Sequence, residues 1–254
     1  MVFGLLSLIS TRAPALATAT DAWNIDEWET AWTKILTRYV DDSGRIDFAS
    51  LRQNHTDLDR VVAFIAAVDP DSQPQRFPDK HSRLAFYINA YNALAMYRVV
   101  QAGVPESLGG LRKFTFFHLR AFAVGGKSIS LSKFENDVIR PLGDERVHFA
   151  LNCMVVSCPR LPRVAFSAAA LDGQLDTAAR SFIGDTRNVW IEHAKREVWL
   201  SAIFDFYTAD FLARAPSLIA YVNRYRAAQI PADFNVHFLE HRWTVNHRKW
   251  AYVR

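Results

Sequence analysis

Cysteine is scarce in this chain. Its 254 residues hold two, Cys153 and Cys158, too few for a disulfide framework to build the fold. The four residues between them also differ from the two-residue spacing of thiol redox motifs, so that signal for a reversible disulfide is weak. A large excess of charge of one sign is also lacking: 30 basic residues against 26 acidic ones leave a formal balance of +4. Its basic residues are spread thinly, with small knots at Arg112-Lys113 and His247-Arg248-Lys249 and no basic stripe interleaved with aromatics. That distribution argues against nucleic acid as a partner. No uncharged apolar run reaches the ~20 residues a bilayer span needs, which excludes stable membrane insertion. His237 and His241 stand four apart, but no glutamate follows His237, so the zinc-protease pattern is missing. No metal and no cofactor is expected from these residues, and no internal repeat or composition break divides the chain.

Apolar side chains are plentiful. Half the residues are hydrophobic, among them 18 Phe, 8 Tyr and 7 Trp, ample for one large dry core and incompatible with disorder. Residues 1–20 read as an apolar leader: Val2 to Ile9 resembles the core of a signal peptide, and Ala15-Leu16-Ala17 supplies a small-x-small cleavage pattern. The basic start of such a leader is missing, since the first cation is Arg12. Export to the periplasm or to the outside is the expectation, with residues 21–254 as one soluble α+β domain whose helices pack on a small, mostly antiparallel sheet. In an oxidising compartment a Cys153–Cys158 disulfide becomes feasible.

Along the chain, three-four spacing of apolar residues predicts helices over Ala22 to Tyr39, Leu51 to Val68 and Lys80 to Ala102. Asn89 and Asn92 lie three apart on the third of these and project from the same side, where amides that tie neighbouring loops to the helix are one expectation and substrate contacts the other. Phe114 to Phe122 reads as a strand or loop. Gly125-Gly126 marks a hairpin, followed by a short helix capped by Ser130 or Ser132 that carries Glu135 in its first turn. Further helices are expected over Ala168 to Phe182, Ala202 to Leu212 and Leu218 to Arg226, and a hairpin over Val189 to Leu200.

The stretch Arg146 to Pro162 contains both cysteines. Val147 to Leu151 reads as a short buried strand, and Ser157-Cys158-Pro159 as the loop that follows it. Several blocks in order resemble the DUF547 family: Gly44-Arg45-Ile46-Asp47-Phe48, Leu84 to Leu94, Ser130-Leu131 with Phe134-Glu135, Arg146 to Cys153 with Ser157-Cys158-Pro159, and Ser201 to Phe204 with Tyr207 and Asp210-Phe211. The name of that family assigns no function. The resemblance implies a fold akin to papain-like or transglutaminase-like thiol enzymes, with cysteine more usual at the place of Cys153 than at that of Cys158. The chain departs from the family pattern with Phe48 where tyrosine is usual and with the bulky Met154-Val155-Val156 where small residues are usual, which narrows any channel beside Cys153.

A thiol enzyme needs a thiolate, a base and a group that orients the base. Cys153, His148 and Glu135 supply those types, with Asn89 or Asn92 as alternative orienting amides. Asn152 or backbone N–H groups of the Cys153–Ser157 loop would serve the oxyanion, and Ser157 and Cys158 complete the candidate substrate contacts. The expected reaction is hydrolysis or transfer at a peptide or amide bond of a peptide or small molecule. In a regular strand, residues five apart face opposite sides, so His148 meets Cys153 only where the chain bends after Asn152; otherwise His81 or His118 becomes the base. A ligand- or peptide-binding module with structural cysteines, lined by Tyr87, Tyr91 and the aromatics of Phe204–Phe211, remains the alternative from another class. The oligomeric state is left open.

Overall fold

The computed structural model describes residues 23–249. The leader at 1–20 and the last residues of the aromatic tail lie outside them. The described chain is α+β, with helices around two separate small sheets.

At the centre is α4 (Lys80–Gln101). Its residues are buried almost all round, so it is enclosed by neighbours rather than laid on a surface. Asp79 starts it in a capping box with Ser82. Of the earlier helices, α3 (Thr56–Ala67) packs beside it, and α1 (Ile25–Tyr39) packs on α3 and reaches α4 through Trp28 against Phe86. Fully buried Trp28 of α1 stacks on Phe64 at 5.6 Å and donates its indole N–H to the Val61 carbonyl at 3.2 Å. Its one polar atom is therefore satisfied inside the core.

Three segments differ from expectation. Arg45-Ile46-Asp47-Phe48 alternates in sequence like a short edge strand, but Asp47 accepts from the Ser50 N–H and opens α2 (Phe48–Gln53), leaving only isolated bridges at Ile46. The helical stretch expected from Leu51 is therefore two helices, broken at Asn54-His55. Phe114 to Leu119 is helical, continuing α5 (Leu111–Phe114) through a wider π turn at Thr115–Leu119. Aromatic content alone favours strand there, but the segment lies at the surface, with Leu111 and Leu119 exposed.

The hairpin of β1 (Ala121–Val124) and β2 (Lys127–Ser130) turns on Gly125-Gly126 as expected. Both glycines have positive φ, and a Cβ on Gly125 would approach the Asp69 Cβ to 2.5 Å. Close docking makes glycine obligatory there: the Gly125 and Gly126 N–H groups donate to the Ile65 and Ala66 carbonyls of α3. Ser130 then caps α6 (Leu131–Lys133), which runs on as a π turn through Phe134–Ile139 and carries Glu135.

A second cluster of buried residues gathers Phe149, Phe182, Phe204, Phe211 and Tyr221. It joins α7 (Leu171–Gly184) to the sheet of β3 (Val189–Glu192), β4 (Glu197–Leu200) and β5 (Asn235–Phe238), and to α8 (Ala202–Phe206), α9 (Thr208–Leu212) and α10 (Leu218–Asn223). In that sheet β3 pairs antiparallel with β4, and β5 joins β4 in parallel. Beyond β5 the chain returns across the molecule: Val245 bridges Val155 and His247 bridges Ile46. That return segment brings the C-terminal part of the chain onto the cysteine loop.

Candidate functional site

Val147 to Leu151 is not a strand. Asp144 accepts from the Arg146 N–H and starts a 3₁₀ turn over Glu145–Phe149, after which the chain leaves the turn at Ala150. Short apolar runs do not separate strand from turn or helix by periodicity. The opposite-face objection to pairing His148 with Cys153 therefore lapses, because it applied only to extended chain.

The loop beyond is held by two buried amides. The Asn92 side chain accepts from the Asn152 backbone N–H at 2.7 Å and donates to the Ala150 carbonyl at 3.0 Å. Asn152 accepts from the Met154 N–H and donates to the Pro159 carbonyl. These bonds close the loop around Met154, whose φ of 64° is left-handed and uncommon for a side chain of that size. Asn89, one turn earlier on α4, clamps both backbone groups of Phe166. These amides are therefore loop anchors: Asn89, Asn92 and Asn152 are all buried, each donating one hydrogen bond to the backbone and accepting one from it. Asn152 is fully buried and does not line the cavity that Cys153 faces, so the oxyanion role expected of its amide has no access there. Ser157 accepts from the Arg242 N–H, fixing the return segment, and Cys158 is bonded to Cys153 in a disulfide with Cα atoms 6.0 Å apart.

Cys153, His148 and Glu135 nevertheless face one cavity of about 220 Å³. Tyr91, Tyr207, Lys113, His118 and His241 also line it. Cys153 is partly exposed there, whereas His81 lines a different cavity with Arg160 and Asp172 and drops out as a base.

The orienting partner of His148 is Asp210, not Glu135. The His148 Nε2 stands 2.8 Å from the Asp210 carboxylate, which Arg140 grips with two N–H groups at 2.9 Å each. Arg140 and the imidazole contact hold the Asp210 carboxyl below its usual range, so it is ionised near neutrality. An ionised acceptor makes Nε2 the protonated nitrogen and leaves Nδ1 with a lone pair. Nδ1 is buried and has no hydrogen-bond partner among the described residues.

Glu135 belongs to a second layer. It accepts hydrogen bonds from the Tyr207 and Tyr91 hydroxyls, and the Tyr207 ring stacks on His148 with centroids 3.7 Å apart. Burial pushes the Glu135 carboxyl above its normal range despite both hydroxyls. It thus positions the tyrosine that supports the imidazole and does not touch the imidazole as its orienting group.

Burial pushes His148 down to about 4, outweighing the opposing pull of Asp210, and burial with the nearby Lys113 charge does the same to His241. Between that value and the ordinary 6.5, the unfolded chain binds protons that the folded chain does not, so stability rises with pH across this window. Acidification from pH 7 to 4 should cost about 3 kcal/mol through His148 alone, at about 1.4 kcal/mol per pH unit. Denaturant titrations of wild type and His148→Gln at both pH values should show the loss shrinking by that amount in the variant. Equal losses would mean that His148 is protonated in the folded chain.

Asp210, which binds His148, and His241, which lines the cavity, are not marked as site residues by any local sequence pattern. The Asp210-Phe211 pair was visible as part of the family pattern, but nothing local indicated its contact with His148. His241 stood out only through its spacing from His237, a pairing the structure does not use, since His237 faces Glu197. Among the described residues, no helix is long and apolar enough to cross a membrane. No curated protein and no solved structure matches the chain. The family model described as "Protein of unknown function, DUF547" matches residues 74–183, from the approach to α4 through the cysteine loop and most of α7. Over that segment the chain is similar to the DUF547 family, in agreement with the resemblance carried by Leu84 to Leu94, Phe134-Glu135 and Arg146 to Cys153.

Proposed function

We propose that the chain is a cysteine-dependent hydrolase or acyltransferase acting on a peptide or amide bond, with Cys153 as nucleophile, His148 as base and Asp210 as the group that orients the base. The supporting observation is the shared cavity. Partly exposed Cys153 lines it together with an imidazole bound to a carboxylate through one nitrogen and unpartnered at the other. This is the division of labour that thiol acyl transfer requires.

The disulfide makes the chemistry conditional on reduction. A dithiol reductant would convert the Cys153–Cys158 bond to two thiols, its own pair becoming oxidised. Cys153 then gives its proton to Nδ1 of His148 and attacks the acyl carbon. The imidazolium returns that proton to the leaving amine, and water or an acceptor amine cleaves the thioester. Export of the chain to the periplasm or outside belongs to the same proposal, and a disulfide suits such a compartment. The cavity has room for a side chain or small molecule.

The second reading is a ligand-binding module with structural cysteines, which the disulfide itself favours. Iodoacetamide labelling across pH separates the two. Reduced wild type and Cys158→Ser should be alkylated at Cys153 well below pH 8, and Cys153→Ala should lose that signal. Alkylation of Cys153 only after unfolding would leave the binding module.

A further inference from the structure

His241 sits where a hydrogen-bonding ring has no evident work. It is 8 % exposed, and among the described residues neither ring nitrogen has a partner. An imidazole must carry a donor and an acceptor, or two donors, so burying it unpaired is costly unless something ligates it. Its surroundings are soft: one ring nitrogen and the sulfur atoms of Cys153 and Cys158 all lie within 4.8 Å of one another.

We propose that reduction of the Cys153–Cys158 disulfide turns this cluster into a binding site for a soft divalent cation, zinc foremost, with two thiolates and the imidazole of His241 as ligands. Two sulfurs and one nitrogen form an established zinc donor set, with bonds of roughly 2.3 Å to sulfur and 2.0–2.1 Å to nitrogen. Ligand atoms around such an ion stand a few ångströms apart, a spacing the separated sulfurs reach by side-chain rotation. The backbone is already in place. Asn92 and Asn152 fix the start of the loop, and the return segment fixes its other side through Val156 N–H to the Thr244 carbonyl and Asn246 N–H to the Met154 carbonyl. Three protein ligands leave a fourth position. Because Cys153 and His241 line the cavity, that position opens into it, and water would complete the tetrahedron. Lys113 contributes an opposing positive charge beside His241, but two thiolates neutralise the ion.

The bookkeeping closes in two steps. A dithiol reductant takes up the disulfide's oxidising equivalents and leaves two thiols. Binding of the cation then releases two protons, one from each thiol. Disulfide, metal thiolate and free thiol are mutually exclusive states of Cys153. A sulfur held by zinc is unavailable as a nucleophile, so the cation would silence the acyl-transfer site. That consequence rests on the proposed function; the metal site itself does not.

Cobalt(II) titration of the full-length protein under anaerobic conditions is the test, because sulfur-to-cobalt charge transfer reports thiolate ligation directly. Reduced wild type should bind one equivalent with that absorption, and zinc should displace it. Oxidised wild type should show none. Cys158→Ser and His241→Ala should each weaken binding more than about a hundredfold, beyond the roughly 10–100-fold that loss of an outer-shell contact costs, with circular dichroism confirming that both remain folded. A reduced wild type that binds no more tightly than the oxidised protein overturns the site, and so does undiminished affinity in both variants. Iodoacetamide separates the two proposals. Alkylation of metal-free Cys153 with no retained cobalt leaves the thiol enzyme without a metal site. Tight cobalt binding with an inert metal-free thiol leaves a metal site without the enzyme.

Discussion

Asp210→Asn should slow acyl transfer by the reduced protein by about 10²–10⁴-fold, the usual worth of a positioned general base. An activated nitrophenyl ester serves as the acyl donor, with nitrophenolate release as the signal. The ionised carboxylate can only accept from His148, which fixes the proton on Nε2 and leaves a lone pair on Nδ1. An amide in its place presents an N–H to one of its neighbours. Facing His148, it drives the imidazole to the opposite tautomer, with a proton where a lone pair is needed. Facing Arg140, it repels the guanidinium that holds Asp210 through two bonds. Either outcome disables the base while leaving the helices and the Tyr207 stack in place. The thiol's alkylation profile should also move to higher pH, a change that a purely structural role for Asp210 would not produce. Rates within about threefold of wild type, with an unmoved profile, would remove the His148–Asp210 pair from the mechanism.

What the sequence made legible follows from the range of each signal. The hairpin at Gly125-Gly126, the cap at Ser130 and the long helix through Asn89 and Asn92 are set by neighbours a few residues away, and all were visible. Local spacing also singled out the Cys153 loop, and the cavity does contain Cys153, His148 and Glu135 together. The partner of His148 was not legible, because Asp210 is 62 residues away and reaches it only through packing of α9 against the 3₁₀ turn. His241 reaches the cysteines for a similar reason: the segment after β5 packs on the distant cysteine loop, where the Arg242 N–H donates to Ser157 and the Val156 N–H to the Thr244 carbonyl. Glu135 was found for its type and position but given the wrong neighbour. Sequence proximity suggested the imidazole, whereas the π turn aims the carboxylate at Tyr91 and Tyr207.

The asparagines, in contrast, carry structure, and their removal should be felt throughout the domain. Asn92→Ala should destabilise the fold by about 2–5 kcal/mol. The substitution strips two backbone groups of their partners at once: the Asn152 N–H, which Asn92 accepts at 2.7 Å, and the Ala150 carbonyl, to which it donates at 3.0 Å. Asn92 is 1 % exposed and Asn152 fully buried, so water does not readily replace the lost bonds. Each stranded buried group costs about 1–3 kcal/mol. Against a total stability of roughly 5–15 kcal/mol, that loss is a large fraction. A urea denaturation midpoint that falls with an unchanged slope would measure it. A loss below about 1 kcal/mol would mean that the loop re-forms its bonds without Asn92. The damage should concentrate where the amide acts. With the start of the loop released, Met154 loses the restraint that holds its left-handed backbone, and Cys153 loses its fixed approach to the cavity. The reduced variant should therefore alkylate at Cys153 with the pH dependence of an ordinary exposed thiol, near 8.5, even at temperatures where the rest of the domain remains folded.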